Sequence, residues 1–278
     1  TMEIIKDLEP QARGVYCGPI GLLLPEGRRI FNVAIRTIQL HKGQAIYGVG
    51  GGITWDSTWE SEYREVHQKA AVLYRKQVPF QLITTGKISQ NHLLFKEEHI
   101  ERLRKASRYF AYPFNPEYLR QRIDAECQTC HEEKDYRLKI SISKSGDIDL
   151  CCQELIPLSP AFCQAQLCLQ ETSLQTPFTY FKTTYRPHLT IGKQEKIYHN
   201  EKGELLETSI GNLVLQIAGK LYTPPIELGV LPGIYRHHLL EIGQVEEKVL
   251  TLEDLAQAEA IYACKAVWRL YKLSLQDN

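Results

Sequence analysis

The apolar pattern of the sequence changes at Val78-Pro79, and this change constrains the fold more than any other feature. Before it, β-rich runs at Val15–Leu24 and Ile30–Leu40 are separated by a proline–glycine turn, and one charged helical stretch follows from Ser57 to about Tyr74. After it, strand and helix patterns alternate without an internal repeat. We therefore expect two parts: a front segment of residues 1–77 and an α+β remainder.

The remainder is expected to form two lobes, residues 78–171 and 172–278, joined by the polar, proline-containing connection Thr172–Thr179. Its strongest helical pattern lies at Glu97–Phe110, where apolar residues recur on one face. Asn115-Pro116 opens a second helix as its cap and first helical residue. Further predicted elements are a strand at Phe80–Thr85, a hairpin of Tyr136–Ser143 with Ile148–Cys152, strand pairs turned at Asn200–Gly203 and Gly219-Lys220, a short helix after Gly233 and a helix–strand pair over Leu252–Lys272.

Composition and charge exclude several classes of protein. The 278 residues include 33 Lys and Arg against 33 Asp and Glu, so no excess of positive charge indicates a nucleic acid or an anionic membrane as partner. No apolar run approaches the roughly 18 residues that span a bilayer. Thr1–Asp7 also lacks the basic-then-apolar pattern of a signal peptide. We expect a cytoplasmic protein that binds neither nucleic acid nor membrane.

The eight cysteines are expected to be reduced thiols, because the chain is long and shows no secretion signal. The run Cys127–His131 matches a haem-attachment pattern, and with Cys151 and Cys152 it offers metal ligands. However, Ile123, Cys127 and Cys130 have the spacing of one buried helix face. Core packing is therefore the favoured interpretation.

Lys182 is the candidate nucleophile of the chain. It lies in an apolar and hydroxyl-rich stretch, Phe181–Thr184, at the expected boundary between the lobes. A desolvated lysine loses its proton more readily and attacks an aldehyde, as the Schiff-base lysine of a pyridoxal phosphate enzyme does. From the local pattern alone, a solvated surface lysine remains an equal alternative.

Other residues after position 80 suit the same cofactor. A carboxylate such as Glu207 can keep a pyridine nitrogen protonated, and Arg102 on a helix can neutralise a phosphate. The hydroxyl of Ser209 and the backbone of Ile210 lie beside Glu207, and the helix start at Gly233-Ile234 offers free N–H groups. Each has an alternative as an ordinary solvated group, and their order along the chain is the stronger signal.

That order resembles the fold type IV pyridoxal phosphate enzymes, which include branched-chain aminotransferases, D-amino acid aminotransferases and aminodeoxychorismate lyases. The resemblance covers about Phe80 to Leu275 and implies pyridoxal phosphate as cofactor, a two-lobed D-amino acid aminotransferase-like fold and a homodimer. It also implies the cofactor roles of Lys182, Glu207 and Arg102. The stretches that carry it are His99–Leu103, Tyr180–Arg186, Asn200–Leu213, Tyr222–Pro225 and Leu231–Arg236.

The chain departs from this family at three places. Lys182 and Glu207 are 207 − 182 = 25 positions apart, fewer than in most relatives, so the helix between them is expected to be trimmed. Tyr262–Val267 stands where relatives usually carry an Asn-Ser or similar polar pair. On the strand that faces the substrate in relatives, Lys87 replaces a common arginine and is expected to bind a substrate carboxylate, while Thr85 is a possible proton relay.

The front segment resembles a different family, the chorismate-utilising enzymes, and is closest to component I of aminodeoxychorismate synthase. The matching stretches are Arg13–Gly21, Ala34–Thr37, Gly48–Ile53 and Glu62–Ala70. The related catalytic domains are several times longer than 77 residues. We therefore expect a partial chorismate-binding α/β segment whose sheet edges and apolar faces are uncovered.

The resemblance implies chorismate and metal contacts in the front segment, and elementary chemistry supports them. Chorismate is a dicarboxylate, for which Arg36 offers a planar fork and Tyr16 a hydroxyl donor. Gly50, Gly51 and Gly52 carry no side chains, so their backbone N–H groups can approach an anion closely. Gly50 and Gly52 are therefore further candidates for binding chorismate. On one helix face, Glu62 and Glu65 are spaced to hold Mg²⁺, with Lys69 one turn on. The alternative for these three helical residues is an ordinary salt-bridged surface.

Together, the two resemblances imply consecutive steps towards 4-aminobenzoate and folate. The expected activity is a lyase that converts aminodeoxychorismate to 4-aminobenzoate and pyruvate, with Lys182 removing the ring proton. Three alternatives remain open: an aminotransferase with the same cofactor, a non-catalytic binding or assembly protein, and a front segment that still aminates chorismate with ammonia from a glutaminase partner.

Overall fold

The computed structural model of the protein describes residues 2–9, 11–74, 78–170 and 176–276, and the chain divides into two compact units, Thr1–Gln77 and Val78–Asn278. Among the described residues no helix is both long and apolar enough to cross a membrane. Part of the predicted connection Thr172–Thr179, residues 172–175, lies outside the described residues.

Unit 1 (Thr1–Gln77) consists of two helices and two separate antiparallel strand pairs. The elements are α1 (Met2–Leu8), β1 (Pro19–Leu23), β2 (Arg29–Val33), β3 (Ile38–His41), β4 (Gln44–Tyr47) and α2 (Trp59–Tyr74). Strand β1 pairs with β2 and β3 pairs with β4. Gly27 takes a positive φ of 85° in the first turn, which glycine adopts without steric cost. The predicted strand, turn and helix order is confirmed here.

Unit 1 buries very little apolar surface. Ala34 is the one hydrophobic residue among its described residues that is fully buried, whereas Leu22, Phe31 and Leu40 are 62%, 58% and 79% exposed. Uncovered apolar faces of this extent are unusual for a complete domain. They agree with the expectation of a partial one.

The first half of unit 2 (Val78–Asn278) is a four-stranded antiparallel sheet with two helices. Strands β5 (Leu82–Ser89) and β7 (Tyr136–Ile142) form its centre, and the strand order is β6-β5-β7-β8. Its other elements are β6 (His92–Leu93), α3 (Lys96–Phe110), α4 (Pro116–Gln128) and β8 (Ile148–Glu154). Residues of β5 alternate strictly between buried and half-buried, so one face packs in the core while the other remains available for a site.

Helix α4 begins and packs as the sequence predicts. The Asn115 side chain accepts hydrogen bonds from the backbone N–H groups of Glu117 and Tyr118, and Pro116 is the first helical residue. Ile123 and Cys127 are 0% and 2% exposed in the core of this half. No group of three potential metal ligands occurs in the described part of the chain. Core packing of Cys127 is confirmed, and Cys130 is half-buried against the same core.

The second half of unit 2 is built on an eight-stranded sheet in the order β11-β10-β9-β16-β15-β12-β13-β14. An additional pairing of β11 with β12 closes six of these strands into a ring around a core that includes Leu205, Leu213 and Leu215. The elements are β9 (Gln164–Leu169), α5 (Pro177–Tyr180), β10 (Lys196–His199), β11 (Leu205–Thr208), β12 (Asn212–Ile217), β13 (Lys220–Thr223), a 3₁₀ turn (Ile226–Leu228), α6 (Ile234–Glu241), β14 (Glu246–Glu247), α7 (Leu252–Gln257), β15 (Ala260–Lys265) and β16 (Arg269–Leu275).

Two features of this half differ from the sequence analysis. The prediction of a single helix–strand pair over Leu252–Lys272 was wrong, because α7 is followed by the antiparallel hairpin β15–β16. Small residues in β15 obscure its alternation, although Ile261 and Ala263 are both buried. Strand β9 belongs to the eight-stranded sheet, so it packs with the elements that follow residue 172. Between Thr184 and β10 the structure has no helix, which confirms the trimmed interval.

Candidate active site

A cavity of about 520 Å³ lies between the two halves of unit 2. One wall comes from β5 and β7 of the four-stranded sheet, and the opposite wall comes from the segment after β11, the start of α6 and the end of β15. The structure brings most of the predicted cofactor residues to it: Lys182, Arg102, Glu207, Ser209, Ile210, Gly233, Ile234 and Thr85 all line the cavity.

Lys182 is held by the backbone of the opposite half. Its carbonyl accepts a hydrogen bond from the N–H of Ile83 at 3.0 Å, and the N–H of Thr184 donates to the carbonyl of Gln81 at 2.9 Å. Burial lowers the pKa of the Lys182 amine well below its usual value, and the positive charges of Arg102, Lys265 and Arg186 lower it further. Burial therefore favours the neutral, nucleophilic form of the amine, and the charge of Glu207 opposes this shift.

Glu207 lies at the end of β11 and is only 2% exposed. Arg186 donates a hydrogen bond to its Oε1 from Nη2 at 2.9 Å. Burial raises the pKa of the Glu207 carboxyl, and the charge and hydrogen bond of Arg186 oppose that rise. Arg186 is thus the largest of the contributions that favour the charged carboxylate, and the backbone of Leu231 and the charge of Lys182 add smaller ones. The sequence analysis included Arg186 in a matching stretch but assigned it no role.

His188 is a second neighbour of Glu207 that the sequence analysis missed. Its Nε2 lies 3.9 Å from the Glu207 Oε1. Burial, together with the charge of Arg186, lowers the His188 pKa to about 4, so the imidazole is neutral near pH 7. Its Nδ1 and the Nε of Arg186 have no hydrogen-bond partner among the described residues. Arg186 and His188 both lie in the irregular segment between Lys182 and β10. This segment has neither helical nor strand periodicity, so no sequence pattern indicated that the two residues face the site.

Helix α3 positions Arg102 at the cavity, and the packing of His99 holds this helix against β5. The His99 Nδ1 and the Thr84 hydroxyl of β5 share a hydrogen bond of 2.6 Å. A Cβ at Gly86 would lie 2.6 Å from the His99 ring, so this strand position requires glycine. One turn on, Arg102 donates to the carbonyl of Pro232 at 2.6 Å. Burial lowers the Arg102 pKa to about 10, which still leaves a cation with unused donors.

The start of α6 forms another part of the cavity wall. Gly233 is the N-cap residue and provides no side-chain cap, so the first N–H groups of the helix lack an intrahelical partner. A Cβ at Gly233 would lie 1.9 Å from the Asn212 Oδ1, so only glycine permits this approach. Negative charge is favourable at the start of a helix, so an anion can bind to these N–H groups.

Ser209 and Ile210 line the cavity but are already engaged in hydrogen bonds. The Ser209 hydroxyl accepts from the N–H of Lys196 at 3.0 Å, and the N–H of Ile210 donates to Glu195 at 3.2 Å. The hydroxyl can still donate to a ligand. The backbone donor of Ile210 is satisfied within the protein.

Lys87 is not at the cavity, in contrast to the expectation from the sequence. Its amine forms a salt bridge of 2.5 Å with Asp135, and the side chain is not part of the lining. Its cross-strand neighbour on β7, Arg137, and the next residue on that face, Lys139, line the cavity instead. Neither forms an ion pair with any described residue. The alternation of β7 could have placed both on one face, but only its register with β5 shows that this face meets the cavity.

Unit 1 contains a cavity of about 650 Å³ of its own. Arg36, Lys69 and Glu65 line it, and the Lys69 amine donates to the carbonyl of Gly50 at 2.8 Å and forms a salt bridge with Glu65. Three of the predicted residues are thereby brought together. Gly50 also lies close to the Tyr16 hydroxyl, which is 3.1 Å from an ideal Cβ position.

The remaining predicted residues of unit 1 lie apart from that cavity lining. Glu62 accepts a hydrogen bond from the Ser57 hydroxyl at 2.7 Å, and its carboxylate lies against Gly51. Gly52 is exposed with open space around it. Glu62 and Glu65 form no cluster of three metal-ligating side chains with other described residues. Mg²⁺ prefers six oxygen ligands, so water would have to supply most of them.

The two-lobed arrangement of unit 2, with a buried lysine and a buried carboxylate at one cavity, defines a fold type IV aminotransferase-like enzyme domain. The chain belongs to the class IV amino-transferase family, whose model matches residues 81–274. A second family model, the chorismate binding enzyme, matches residues 1–75. The two family assignments and the fold class expected from the sequence are confirmed.

Solved structures show the same fold. A putative amino-acid aminotransferase from Mesorhizobium loti matches 71% of this chain and all of its own at 24% identity, with a TM-score of 0.62. A putative 4-amino-4-deoxychorismate lyase from Legionella pneumophila matches 71% of this chain and 83% of its own at 20% identity, with a TM-score of 0.57. The PLP-bound form of a hypothetical aminotransferase from Mycobacterium tuberculosis matches 70% and 81% at 16% identity, with a TM-score of 0.57.

Among curated proteins, an aminodeoxychorismate synthase component 1 from Streptomyces lividans is 45% identical over 75 residues, which is 27% of this chain and 16% of that protein. The same protein from Salmonella typhimurium is 46% identical over 69 residues, 25% of this chain and 15% of that protein. The chain thus spans about one sixth of the length of the curated relatives it matches.

Proposed function

We propose that unit 2 is a pyridoxal phosphate-dependent lyase that converts 4-amino-4-deoxychorismate to 4-aminobenzoate and pyruvate. The observation that carries this proposal is the composition of its cavity. The cavity contains the buried amine of Lys182, whose pKa is lowered, and the Glu207 carboxylate, which is paired with Arg186. It is also lined by Arg137, Lys139 and Lys265, three cations that form no ion pair with any described residue. The synthase relatives and the lyase-like fold neighbours support the choice of substrate.

The cavity residues fit pyridoxal phosphate. Arg102 has unused donors and the Gly233-Ile234 helix start has free N–H groups, which together suit a phosphate. Lys182 can bind the aldehyde carbon, and Glu207 can accept a hydrogen bond from the pyridine nitrogen. When bound, the cofactor withdraws electrons from the substrate carbon that carries the amine.

The protein residues move the protons of the reaction. Because burial keeps the Lys182 amine neutral, it can remove the hydrogen from the amine-bearing ring carbon. The ether bond to the neighbouring ring carbon then breaks, the ring becomes aromatic, and the departing enolate takes up a proton at its methylene carbon to give pyruvate. Thr85 on β5 lines the same cavity and is proposed to relay a proton, as the sequence analysis suggested.

The unpaired cations favour a dicarboxylate over a simple amino acid. Unpaired charges in a half-buried wall are costly, and a bound anion compensates for them. After the phosphate has engaged Arg102, the cations Arg137, Lys139 and Lys265 remain. A substrate with a single carboxylate would leave part of this charge unmatched, whereas aminodeoxychorismate carries two carboxylates.

The test is borohydride reduction of the purified protein with pyridoxal phosphate, followed by peptide mapping and an assay of pyruvate release. We expect the label on Lys182 and one pyruvate per 4-aminobenzoate. Lys182→Ala should abolish both, whereas Lys193→Ala, which changes an exposed lysine in the same interval, should leave both intact. A label on another lysine, or no cofactor absorption band, would contradict the proposal.

An aminotransferase is the second candidate, because the fold neighbours include aminotransferases of similar coverage. It would use the same lysine and glutamate but would need an amino acid and a keto acid as co-substrates. Amino transfer that depends on an added keto acid, with no pyruvate from aminodeoxychorismate alone, would establish it in place of the lyase.

For unit 1 we propose a role as the chorismate-contacting part of a longer synthase domain. Arg36 and Lys69 supply the cations of its cavity, and Glu62 and Glu65 are the proposed Mg²⁺ ligands. Amination of chorismate would need ammonia from a glutaminase partner. Consumption of chorismate with Mg²⁺ and ammonium, lost in Arg36→Met, would support this role. For unit 2 we propose a homodimer, to be measured by sedimentation.

A further inference from the structure

We infer that Lys265 binds one of the two carboxylates of the substrate and thereby selects dicarboxylates over monocarboxylates. This inference rests on the proposed function and names a residue of the site that the family resemblance does not supply. Lys265 stands in the stretch Tyr262–Val267 and was not among the residues predicted for the site.

The contacts of Lys265 leave its charge available to a ligand. It ends β15, is half-buried and lines the cavity together with Lys182 and Arg137. Its Nζ lies 3.9 Å from the centroid of the Trp268 ring, a cation–π contact that holds the ammonium at the wall. Within the described ranges it forms neither a hydrogen bond nor a salt bridge.

The groups that face Lys265 set its protonation. The Lys265 pKa is lowered to about 7, because burial and, to a smaller extent, the charge of Arg137 on β7 outweigh the opposing charge of Glu195. Lys182 also faces it, since the charge of Lys265 lowers the Lys182 pKa. Glu195 is itself held by Tyr271 of β16, which donates to it at 3.0 Å. An anion bound beside Lys265 would stabilise its protonated form.

The position of Lys265 indicates the substrate side of the cavity and not the phosphate side. Arg102, the cation proposed for the phosphate, donates to the carbonyl of Pro232 beside the start of α6, whereas Lys265 is held over Trp268 at the end of β15, and the charge of Arg137 on β7 acts on it. Lys265 therefore belongs with the β7 wall. Arg137 and Lys139 can take one carboxylate, and Lys265 from the opposite sheet can take the other.

The experiment measures ligand binding to the full chain loaded with pyridoxal phosphate, through the change in the absorption band of the cofactor. That band reports on unit 2 alone. Chorismate serves as a dicarboxylate that lacks the reacting amine, and benzoate serves as the monocarboxylate. We expect Lys265→Met to weaken chorismate by about tenfold or more and benzoate by less than about twofold.

Two matched variants sharpen the comparison. Lys272→Met removes an exposed lysine from the partner strand of the same hairpin and should change neither affinity. Chorismate affinity of the unsubstituted protein should fall as the pH rises above about 7, as Lys265 loses its proton. Lys265→Arg stays charged and should bind chorismate with little change between pH 7 and 9.

Three outcomes would overturn the inference: equal loss of chorismate and benzoate binding, no loss of either, or a lower affinity for pyridoxal phosphate itself. The last would assign Lys265 to the phosphate. Failure of the proposed function is distinguishable, because it appears as absent pyruvate release in the unsubstituted protein. The difference between chorismate and benzoate can still be measured in that case.

Discussion

At the scale of single residues, the pair Arg186–Glu207 governs the electrostatics of the candidate site. Burial raises the pKa of the Glu207 carboxyl, and Arg186 makes the largest contribution that opposes this rise. The guanidinium also contributes a hydrogen bond that a lysine could not reproduce with the same planar geometry. Arg186 thus favours a charged Glu207 carboxylate, which can accept a hydrogen bond from a bound ligand.

We predict that Arg186→Met raises the pKa of Glu207, because the variant loses the two largest contributions that lower it, the charge and the hydrogen bond of Arg186. A group with a higher pKa is ionised only at higher pH, so the acidic limb of the pH–activity profile should move up by about one pH unit. Pyruvate release between pH 5 and 9 measures this. Arg104→Met, which breaks an exposed pair with Glu101, is the control and should leave the profile unchanged. An unshifted limb in Arg186→Met would contradict the role of the pair.

The sequence was informative about part of this site. Lys182, Glu207 and Arg102 carry chemistry in short stretches with recognisable order, and the structure places all three at one cavity. Arg137 and Lys265 lie on strands whose facing surfaces depend on register and sheet closure, which no local pattern encodes. Lys87 was predicted to bind the substrate from its position on the strand, but its amine forms a salt bridge with Asp135 instead.

At the scale of secondary-structure elements, the start of α6 depends on the absence of a side chain. We predict that Gly233→Ala lowers the affinity for pyridoxal phosphate by about tenfold or more, because the new Cβ would overlap Asn212 and displace the first turn. Titration of the cofactor absorption band measures it. Gly192→Ala is the matched control, since Gly192 has open space and should tolerate the change. Equal affinity in both variants would show that α6 does not contribute to the phosphate site.

Helix α4 offers a test of stability that does not involve the site. We predict that Asn115→Ala destabilises unit 2 by about 1 kcal/mol, because two backbone N–H groups lose their acceptor. Thermal unfolding should show a midpoint lower by about 2–4 °C. Gln121→Ala, at an exposed position within the same helix, should have a smaller effect. An unchanged midpoint in Asn115→Ala would mean that water replaces the cap without loss.

Elements were predictable from the sequence where one signal dominated. Helix α4 has a cap, a proline and a clear apolar face, and it was correctly placed. The β15–β16 hairpin was missed because its small and aromatic residues fit a helix as well as a strand. Its identity follows from pairing with β12, a long-range contact that stabilises the extended form.

At the scale of the whole molecule, the two units differ in how they bury apolar surface. Unit 2 has several packed cores, whereas unit 1 leaves most of its large apolar side chains exposed. We predict that a chain of residues 78–278 retains the cofactor absorption band but binds several-fold less of a hydrophobic dye than the full chain. Dye fluorescence at matched concentration measures this. Equal fluorescence from both chains would show that the apolar faces of unit 1 are covered in solution.

The division at residue 78 could be predicted because the apolar pattern changes there, and the two families match on either side of it. The closure of six strands into a ring in unit 2 could not be predicted. It depends on a pairing of β11 with β12 across a short turn and on β9 crossing to a sheet formed by later residues. Such topology arises from contacts between residues distant in sequence, and a local apolar pattern does not indicate which distant strands pair.

Although Lys182 follows β9 in the chain, its backbone is joined to the free edge of β5 by the hydrogen bonds at Ile83 and Thr184. The amine of Lys182 is therefore anchored to the four-stranded sheet, whereas Glu207 and the start of α6 belong to the other half. The reach of the amine towards Glu207 is thus set by how the two halves pack against each other. A change in that packing would alter the position of the amine and the width of the cavity together.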